Sequence, residues 1–532
     1  MSVEMIISGG TIVDGTGGEP YAGDVAIGGG HILSVGKCER PAGVPVLDAT
    51  GLLVTPGLID IHSHSDYTLY VDPRAVSSIT QGVTLEVVGN CGHGCAPLAA
   101  QTEAVQANIY GYQPNDVLPW HGVGEYLDAL AARRPAVNVA ALVPNGCLRF
   151  AVAGAIDRPA TSDELSRMKR LLAEGLDEGA FGYSTGLEYS SERACSEAEV
   201  VELCRVTARA GGLYATHTRN LPDTARESIA EAVRTSGASG ARLQISHISS
   251  VARLADDGRW AVEQALEQVD RAQAEGLDVA FDMHTRSFGM TNLSAVLPPW
   301  ALEDGKAATV ARLLDPTIRR QLKEYPSIVT ALARGNWERV KLANTHARSE
   351  LAGLSIAELA RRSDCDPMDA IFNLLVDEID NLHNVLVLAF VYRPEDTHVA
   401  FEHHDCMVGS DATALSPDRP LSGCLLHGAF TWAAWFYRHF VRDTGKLTPQ
   451  EAVRRLTSLP ARRIGLSDRG VISPGACADI AVFDAGQFAD RGTMARPDQP
   501  AVGMKWVLVN GVVAVRDGVP TGQHAGQVLR RT

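Results

Sequence analysis

The 532-residue sequence has no long apolar run and no excess of basic residues. Its longest apolar run, residues 385–392, has eight members, whereas a helix that spans a membrane needs about 20. The 48 lysines and arginines are outnumbered by 63 aspartates and glutamates, which gives a formal net charge of -15 at pH 7. This charge disfavours binding to nucleic acid or to an anionic membrane, so we expect neither as a partner.

The sequence also offers no sign of a disulfide scaffold or of secretion. Its ten cysteines are scattered, and no two of them have CxxC spacing. The first ten residues lack the basic flank and apolar core of a secretory signal. We therefore expect a cytoplasmic protein in a reducing compartment. The sequence leaves its oligomeric state open, including the possibility of a homo-oligomer.

Both ends of the chain consist of short apolar segments separated by glycine turns. Neither end carries enough apolar residues for a core of its own. Asn510-Gly511 has the sequence of a tight hairpin turn. We predict that residues 1–55 and 465–532 pair into one small β-sandwich domain.

The middle of the chain, residues 56–464, alternates strand-like and helix-like segments. Eight segments are nearly continuous in apolar residues and are separated by amphipathic stretches, which predicts a parallel (β/α)8 barrel, the TIM-like α/β architecture. The predicted strands are residues 58–64, 83–91, 137–145, 180–185, 212–218, 242–248, 278–284 and 406–411. An insertion at about 289–346 follows the seventh strand, and we expect it to cover the barrel mouth and to help form an acyl pocket.

Residues that bind metals recur at the C-terminal ends of these strands: His62, His64, Cys91, His217, His247 and Asp411. Two histidines at i and i+2 on a strand point to the same face, so both reach one ion. A lone histidine at such a position is more often a packing residue, and a buried cysteine usually acts as a small hydrophobic residue. Packing does not explain six such residues at the mouth of a barrel, where these enzymes place their chemistry. Imidazole and thiolate ligands favour zinc.

Several motifs resemble the amidohydrolase superfamily and, more closely, its D-aminoacylase (N-acyl-D-amino-acid deacylase) family. The run from Thr55 to His64 resembles the entry motif of the superfamily. The other matching motifs, in the order of the family, are Gly89-Asn90-Cys91-Gly92, Thr216-His217-Thr218-Arg219, Ile245-Ser246-His247, Leu297-Pro298-Pro299-Trp300 and Gly409-Ser410-Asp411. The resemblance covers nearly the whole chain.

The resemblance implies a role for each candidate ligand. Cys91, His217 and His247 are expected to hold one tightly bound zinc ion, and His62 and His64 to form a second, weaker site. Asp411 is expected to contact the metal and to serve as general base. Many members of the superfamily bridge two metals with a carboxylated lysine on the fourth strand. Residues 179–187 contain no lysine, which fits a bridging cysteine instead.

The expected substrate site departs from the family. Ser249 stands where D-aminoacylases usually carry a lysine that binds the substrate carboxylate. Arg286 is a candidate replacement, and Arg419 a candidate for the family's carboxylate-binding arginine; the alternative for both is a solvated loop charge. Arg219 and His284 are candidates for stabilising the oxyanion, and for Arg219 a structural ion pair is equally compatible with the sequence.

These observations favour a zinc-dependent amidohydrolase that cleaves the amide bond of a small N-acyl compound, either an N-acyl-D-amino acid or an aryl or alkyl amide. Hydrolysis of a cyclic amide or urea, or deamination, is an alternative on the same metal centre. A non-catalytic binding relative is disfavoured, because it has no need to keep six metal-binding residues together.

Overall fold

The computed structural model describes residues 2–99, 102–113, 116–154, 156–219, 225–248, 258–392, 394–418, 420–421 and 426–531. The chain divides into two compact units. The first comprises Met1–Val88, Leu127–Ala141 and His404–Arg530. The second comprises Gly89–Tyr126, Leu142–His403 and Arg531–Thr532.

Eight strands form one sheet in sequence order, which confirms the predicted (β/α)8 barrel class. The strands are Leu58–Asp60, Val83–Val88, Asn138–Pro144, Gly182–Gly186, Leu213–His217, Arg242–Ile245, Val279–His284 and Cys406–Gly409. The pairings between the first seven strands are all parallel. Nearly every residue of these strands is buried, as the continuous apolar runs predicted.

Within the first unit, the residues beyond the first and eighth strands also pair. Ser63 and Ala412 form a parallel bridge. The backbone N–H of Asp411 donates to the carbonyl of His62 at 2.9 Å, and the N–H of His64 donates to the carbonyl of Ala412 at 2.8 Å. The segments that carry His62, His64 and Asp411 are therefore held side by side by their own main chains.

The two ends of the chain pair into one β domain, as predicted. Ile480–Phe483 runs antiparallel to Leu53–Pro56, and this pairing joins the C-terminal strands to the N-terminal ones. All the strands belong to one nine-stranded sheet: Met5–Ile12, Tyr21–Gly28, His31–Gly36, Val46–Asp48, Leu53–Pro56, Ile480–Phe483, Met504–Val509, Val512–Arg516 and Val519–Pro520. Ile7 and Ile12 share one buried core with Ile480 and Val482, so neither end needs a core of its own.

Several helices around the strands begin at a side-chain cap. The helix Ser162–Asp177 starts with a capping box in which Thr161 and Glu164 satisfy each other's backbone N–H groups. The remaining α-helices outside the insertion are Thr68–Val71, Val76–Ile79, Glu103–Gln106, Val123–Ala132, Asn145–Ala153, Glu197–Arg209, Ala225–Ser239, Gly258–Ala274, Pro394–Glu402, Trp432–Tyr437, Pro449–Leu456 and Ser458–Arg463, and a π-helical turn covers Arg438–Asp443. Among the described residues, no helix has the length and apolar content required to cross a membrane.

The insertion after the seventh strand has a sheet and helices of its own. Gly289–Asn292 and Val340–Leu342 both pair antiparallel with Leu386–Ala389, so its sheet extends beyond the predicted boundary at 346. Its α-helices are Lys306–Leu314, Pro316–Glu324, Ile328–Ala333, Ile356–Arg362 and Pro367–Asp377. Short 3-10 turns cover Leu293–Val296, Pro299–Leu302, Trp337–Arg339, Ser349–Leu351 and Ile379–Asn384.

Candidate metal centre

The candidate ligands lie at or just beyond the ends of barrel strands. His217 is the last residue of its strand, whereas His247 and Asp411 each lie two residues beyond theirs. Cys91 lies in the 3-10 turn Asn90–Gly92, after the second strand. Cys91, His247 and Asp411 have left-handed backbones, with φ of 54°, 34° and 46°. This conformation costs a non-glycine residue about 1–3 kcal/mol, and such strain concentrates at functional sites.

In the first unit, His62, His64 and Asp411 form one group of possible ligands. Oδ1 of Asp411 lies 3.2 Å from Nε2 of His64 and 3.6 Å from Nε2 of His62. One ligand atom from each side chain lies within 4.8 Å of the other two. Both histidines are buried, and the Asp411 side chain retains 19% of its exposure. The group therefore combines two imidazoles with a carboxylate that solvent reaches.

Asp60, the last residue of the first barrel strand, hydrogen-bonds to the backbone segments that carry this group. Its Oδ1 accepts hydrogen bonds from the backbone N–H groups of His62 at 3.2 Å and Ser410 at 2.9 Å. Burial, followed by the charge of Glu86, raises the pKa of the Asp60 carboxyl to about 8. One buried carboxyl group thus ties the segment before His62 to the segment before Asp411. Our sequence analysis did not identify this role, although a carboxyl group inside a buried strand is itself an unusual signal.

In the second unit, Cys91, His217 and His247 lie together. Sγ of Cys91 is 3.7 Å from Nε2 of His247, and the rings of His217 and His247 meet edge to face with centroids 4.5 Å apart. Cys91 is fully buried, and the two histidines are 4% and 6% exposed. Cys91 and His217 therefore each lie beside His247 in a buried environment, although the three do not form one of the groups of described residues whose ligand atoms all lie within 4.8 Å of one another. Their joint role as a tight site stays a prediction.

Two carboxylates that the sequence did not mark as partners hold these histidines. Oδ1 of Asp282 accepts the backbone N–H of His247 at 2.9 Å, and its Oδ2 accepts from Nε2 of Gln244 at 2.8 Å. Oε2 of Glu188 lies 3.1 Å from Nε2 of His217. Glu188 lies two residues beyond the observed fourth strand, as Asp411 lies two residues beyond the observed eighth. A carboxyl group close to the end of an apolar strand was a usable signal for Glu188.

The insertion packs against this second group. Its core includes Leu293, Val296 and Leu297, and the same buried cluster contains Cys91 and Tyr189. A small cavity of about 40 Å³ lies between the insertion and residues around His93 and Tyr189. The insertion therefore contacts the end of the barrel strands that carries the candidate ligands, as expected for a lid or pocket wall.

The four candidate substrate-binding residues have different surroundings. Nε of Arg219 donates to both carboxylate oxygens of Glu231 at 3.0 Å, and its NH1 donates to the carbonyl of Arg193 at 2.6 Å. These contacts favour the structural ion pair that the sequence had left open. His284 is buried with its ring centroid 6.2 Å from that of His247.

Arg286 is also buried, at 6% exposure, which is not the solvated loop charge that the sequence allowed. Arg419 lies outside the described residues, as does Ser249, the residue at the position of the family's lysine.

Comparison with known proteins connects this geometry to a family. Residues 45–515 match the model of an amidohydrolase family. The chain is 32% identical to an N-acyl-D-glutamate deacylase of Alcaligenes xylosoxydans xylosoxydans, over 99% of this chain and 97% of the relative. It is 30% identical to a D-aminoacylase of the same organism, over 99% of this chain and 98% of the relative.

A solved structure with the same fold is that of an N-acyl-D-glutamate deacylase from Bordetella bronchiseptica, complexed with zinc and a phosphonate inhibitor that mimics the tetrahedral intermediate. It has a TM-score of 0.81 and 29% identity, with 100% of both chains covered. The relatives are D-aminoacylases, which are metal-dependent amidohydrolases. The chain therefore belongs to the amidohydrolase family and is a hydrolase that acts on carbon–nitrogen bonds other than peptide bonds.

Proposed function

We propose that this protein is a zinc-dependent deacylase that hydrolyses the amide bond of small N-acyl compounds, with N-acyl-D-amino acids as the first class to test. The observation that carries the proposal is the presence of two groups of metal-binding side chains at barrel-strand ends. The chain shares its family with relatives named as deacylases of N-acyl-D-glutamate and other D-amino acid derivatives.

The chemistry of the donor residues fits zinc. Thiolate and imidazole groups are the ligands that zinc prefers, and three protein ligands are the usual number for a catalytic zinc. We assign the tightly held ion to Cys91, His217 and His247, and a weaker second site to His62 and His64 together with Asp411. Bound zinc supplies a water molecule with a lowered pKa and polarises the amide carbonyl.

We assign the proton transfer to Asp411. Its carboxylate is the more exposed member of its group, and the two imidazoles beside it restrict its orientation. From this position it accepts a proton from the attacking water and then delivers it to the leaving nitrogen. The main-chain bond from Asp411 to His62 fixes the base relative to the first-strand histidines.

We assign substrate binding to His284, the last residue of the seventh strand, and to one arginine after each of the seventh and eighth strands. His284 lies near His247 and also packs against Tyr392, with ring centroids 5.3 Å apart, so we propose that it contacts the scissile carbonyl. We propose that Arg286 and Arg419 bind a substrate carboxylate. We exclude Arg219, a candidate for stabilising the oxyanion, from the substrate site, because Glu231 and the carbonyl of Arg193 occupy its guanidinium.

The test is a screen of purified, zinc-loaded protein against N-acetyl and N-formyl amino acids of both hands, simple aryl amides and cyclic amides, with mass analysis of the products. The proposal expects cleavage of N-acyl-D-amino acids into an acid and a free amine. Ring opening adds water without splitting the molecule, and deamination releases ammonia. Either of these as the main activity would overturn the proposal.

A further inference from the structure

The contact between Glu188 and His217 bears on how the metal centre is assembled. Glu188 lies two residues beyond the fourth strand, Gly182–Gly186, and its side chain is only 7% exposed. Its Oε2 is 3.1 Å from Nε2 of His217, whose side chain is 6% exposed. Burying a carboxylate is costly unless it is paired, so this contact is the compensation for its burial.

We propose that Glu188 is the positioning residue of the tight metal site, acting through His217. An imidazole whose Nε2–H donates to a carboxylate keeps its lone pair on Nδ1, the nitrogen that is then available to a metal. The carboxylate also increases the electron density on the ring and fixes its plane. Glu188 thus selects the tautomer of His217 and its orientation, without itself touching the reacting atoms.

The surroundings of the pair agree with this role. Tyr189 packs on His217 with centroids 4.8 Å apart, and His247 packs on it with centroids 4.5 Å apart. The ring is therefore held in place by aromatic neighbours as well as by the carboxylate. Its neighbour His247 faces Sγ of Cys91 at 3.7 Å. Each histidine of the tight site thus has one side-chain neighbour with an acidic hydrogen-bonding group, Glu188 for His217 and Cys91 for His247.

The inference rests on the metal centre of the proposed function but not on the identity of the substrate. It is tested by measuring the zinc affinity of the full-length protein in competition with a chelator. The variants are Glu188→Gln, which removes the charge, and Glu188→Ala, which removes the acceptor. Loss of such a partner typically costs about 10–100-fold in metal affinity. We expect a loss in this range for Glu188→Ala and a smaller loss for Glu188→Gln.

Glu192→Gln is the matched control, because Glu192 is a buried carboxyl group four residues further along the same loop. It bonds to Nδ2 of Asn145 at 2.8 Å and to the N–H of Gly186 at 3.1 Å, not to a histidine. We expect its zinc affinity to stay within about twofold of wild type, since the amide keeps an oxygen acceptor for both donors.

A second readout separates positioning from a general effect on folding. The absorption spectrum of the cobalt-substituted protein reports the geometry of the ligands, and the melting temperature of the metal-free protein reports the fold. We expect Glu188→Gln to change the cobalt spectrum while the metal-free melting temperature stays near that of wild type. Wild-type zinc affinity and an unchanged cobalt spectrum in Glu188→Gln would overturn the inference. So would an equal loss of affinity in Glu192→Gln.

Both readouts are independent of turnover. Failure of every N-acyl amino acid as a substrate would overturn the proposed function and leave the role of Glu188 intact.

Discussion

The two groups of candidate ligands differ in burial and in chemistry. The group in the second unit contains the sulfur of Cys91, a residue that is fully buried. The group in the first unit contains a carboxylate, and the side chain of Asp411 is 19% exposed. A soft, dry group suits a zinc ion that stays bound, whereas an oxygen ligand that solvent reaches suits proton transfer. The difference agrees with our proposal that holding the metal and moving the proton are tasks of separate groups.

The largest expected effect is on turnover. Asp411→Asn keeps the size of the side chain and removes its ability to accept a proton. Loss of general base catalysis reduces the rate by about 10²–10⁴-fold. We expect kcat to fall by this amount while zinc content and folding stay near wild type, as measured by steady-state kinetics and elemental analysis. A variant with more than about a tenth of normal activity would exclude Asp411 as the base.

The second-largest expected effect is on zinc affinity, which should differ between the two groups of candidate ligands. Cys91→Ala should lower the affinity for the first zinc ion by more than about 100-fold. Mutation of a residue that only hydrogen-bonds to a metal ligand already lowers metal affinity by about 10–100-fold. His64→Ala should leave this first ion bound. Elemental analysis after dialysis against a weak chelator measures both. The opposite pattern, with zinc kept by Cys91→Ala and lost by His64→Ala, would move the tight site to His62 and His64.

The pH dependence of the free energy of unfolding tests whether the surroundings of Cys91, His217 and His247 exclude water. Burial raises the pKa of the Glu192 carboxyl from 4.5 to about 7, although bonds from Asn145 and Gly186 act against it. The folded chain therefore retains a proton that the unfolded chain loses. The stability from this group is complete below about pH 4.5 and is lost as the pH rises through 7.

The loss corresponds to ~3 kcal/mol in the free energy of unfolding. Chemical unfolding at pH 4.5 and pH 8 should show Glu192→Gln gaining this amount relative to wild type at the higher pH. If the free energies of unfolding of wild type and Glu192→Gln change in parallel with pH, the carboxyl group of Glu192 is solvated.

The smallest effect concerns Arg219, which the structure assigns to Glu231. Arg219→Lys loses the Nε–H that both carboxylate oxygens of Glu231 accept, and the bond from NH1 to the carbonyl of Arg193, and should lower the free energy of unfolding by about 1–3 kcal/mol. The ratio of kcat/KM for acidic and neutral substrates should stay within about twofold of wild type, since we exclude Arg219 from the substrate site. A loss of kcat/KM for both kinds of substrate without loss of stability would instead restore Arg219 as a candidate for stabilising the oxyanion.

Sequence patterns were sufficient for those parts of the molecule that depend on local periodicity. The apolar runs located all eight barrel strands. His62 and His64 were recognised because a same-face pair of histidines has few packing reasons. Asp411 was recognised because an unpaired charge at the end of an apolar strand is costly.

Contacts between distant segments were not accessible in this way. The pairing of Arg219 with Glu231 and of Glu188 with His217 depends on how loops fold back after their strands, and neither loop has a periodic pattern. The insertion was delimited at 346, but its sheet includes Leu386–Ala389. That strand is a short apolar run, which fits a strand or a buried helix equally well until its partners are known.

The most direct test of the central claim is a titration of metal-stripped protein with zinc, in which hydrolysis of an N-acetyl-D-amino acid is measured at each step. If Cys91, His217 and His247 hold the catalytic ion, activity rises in proportion to the first equivalent of zinc and has reached its plateau when one ion is bound. Full activity in the stripped protein, or activity that appears only with the second equivalent, would contradict the account.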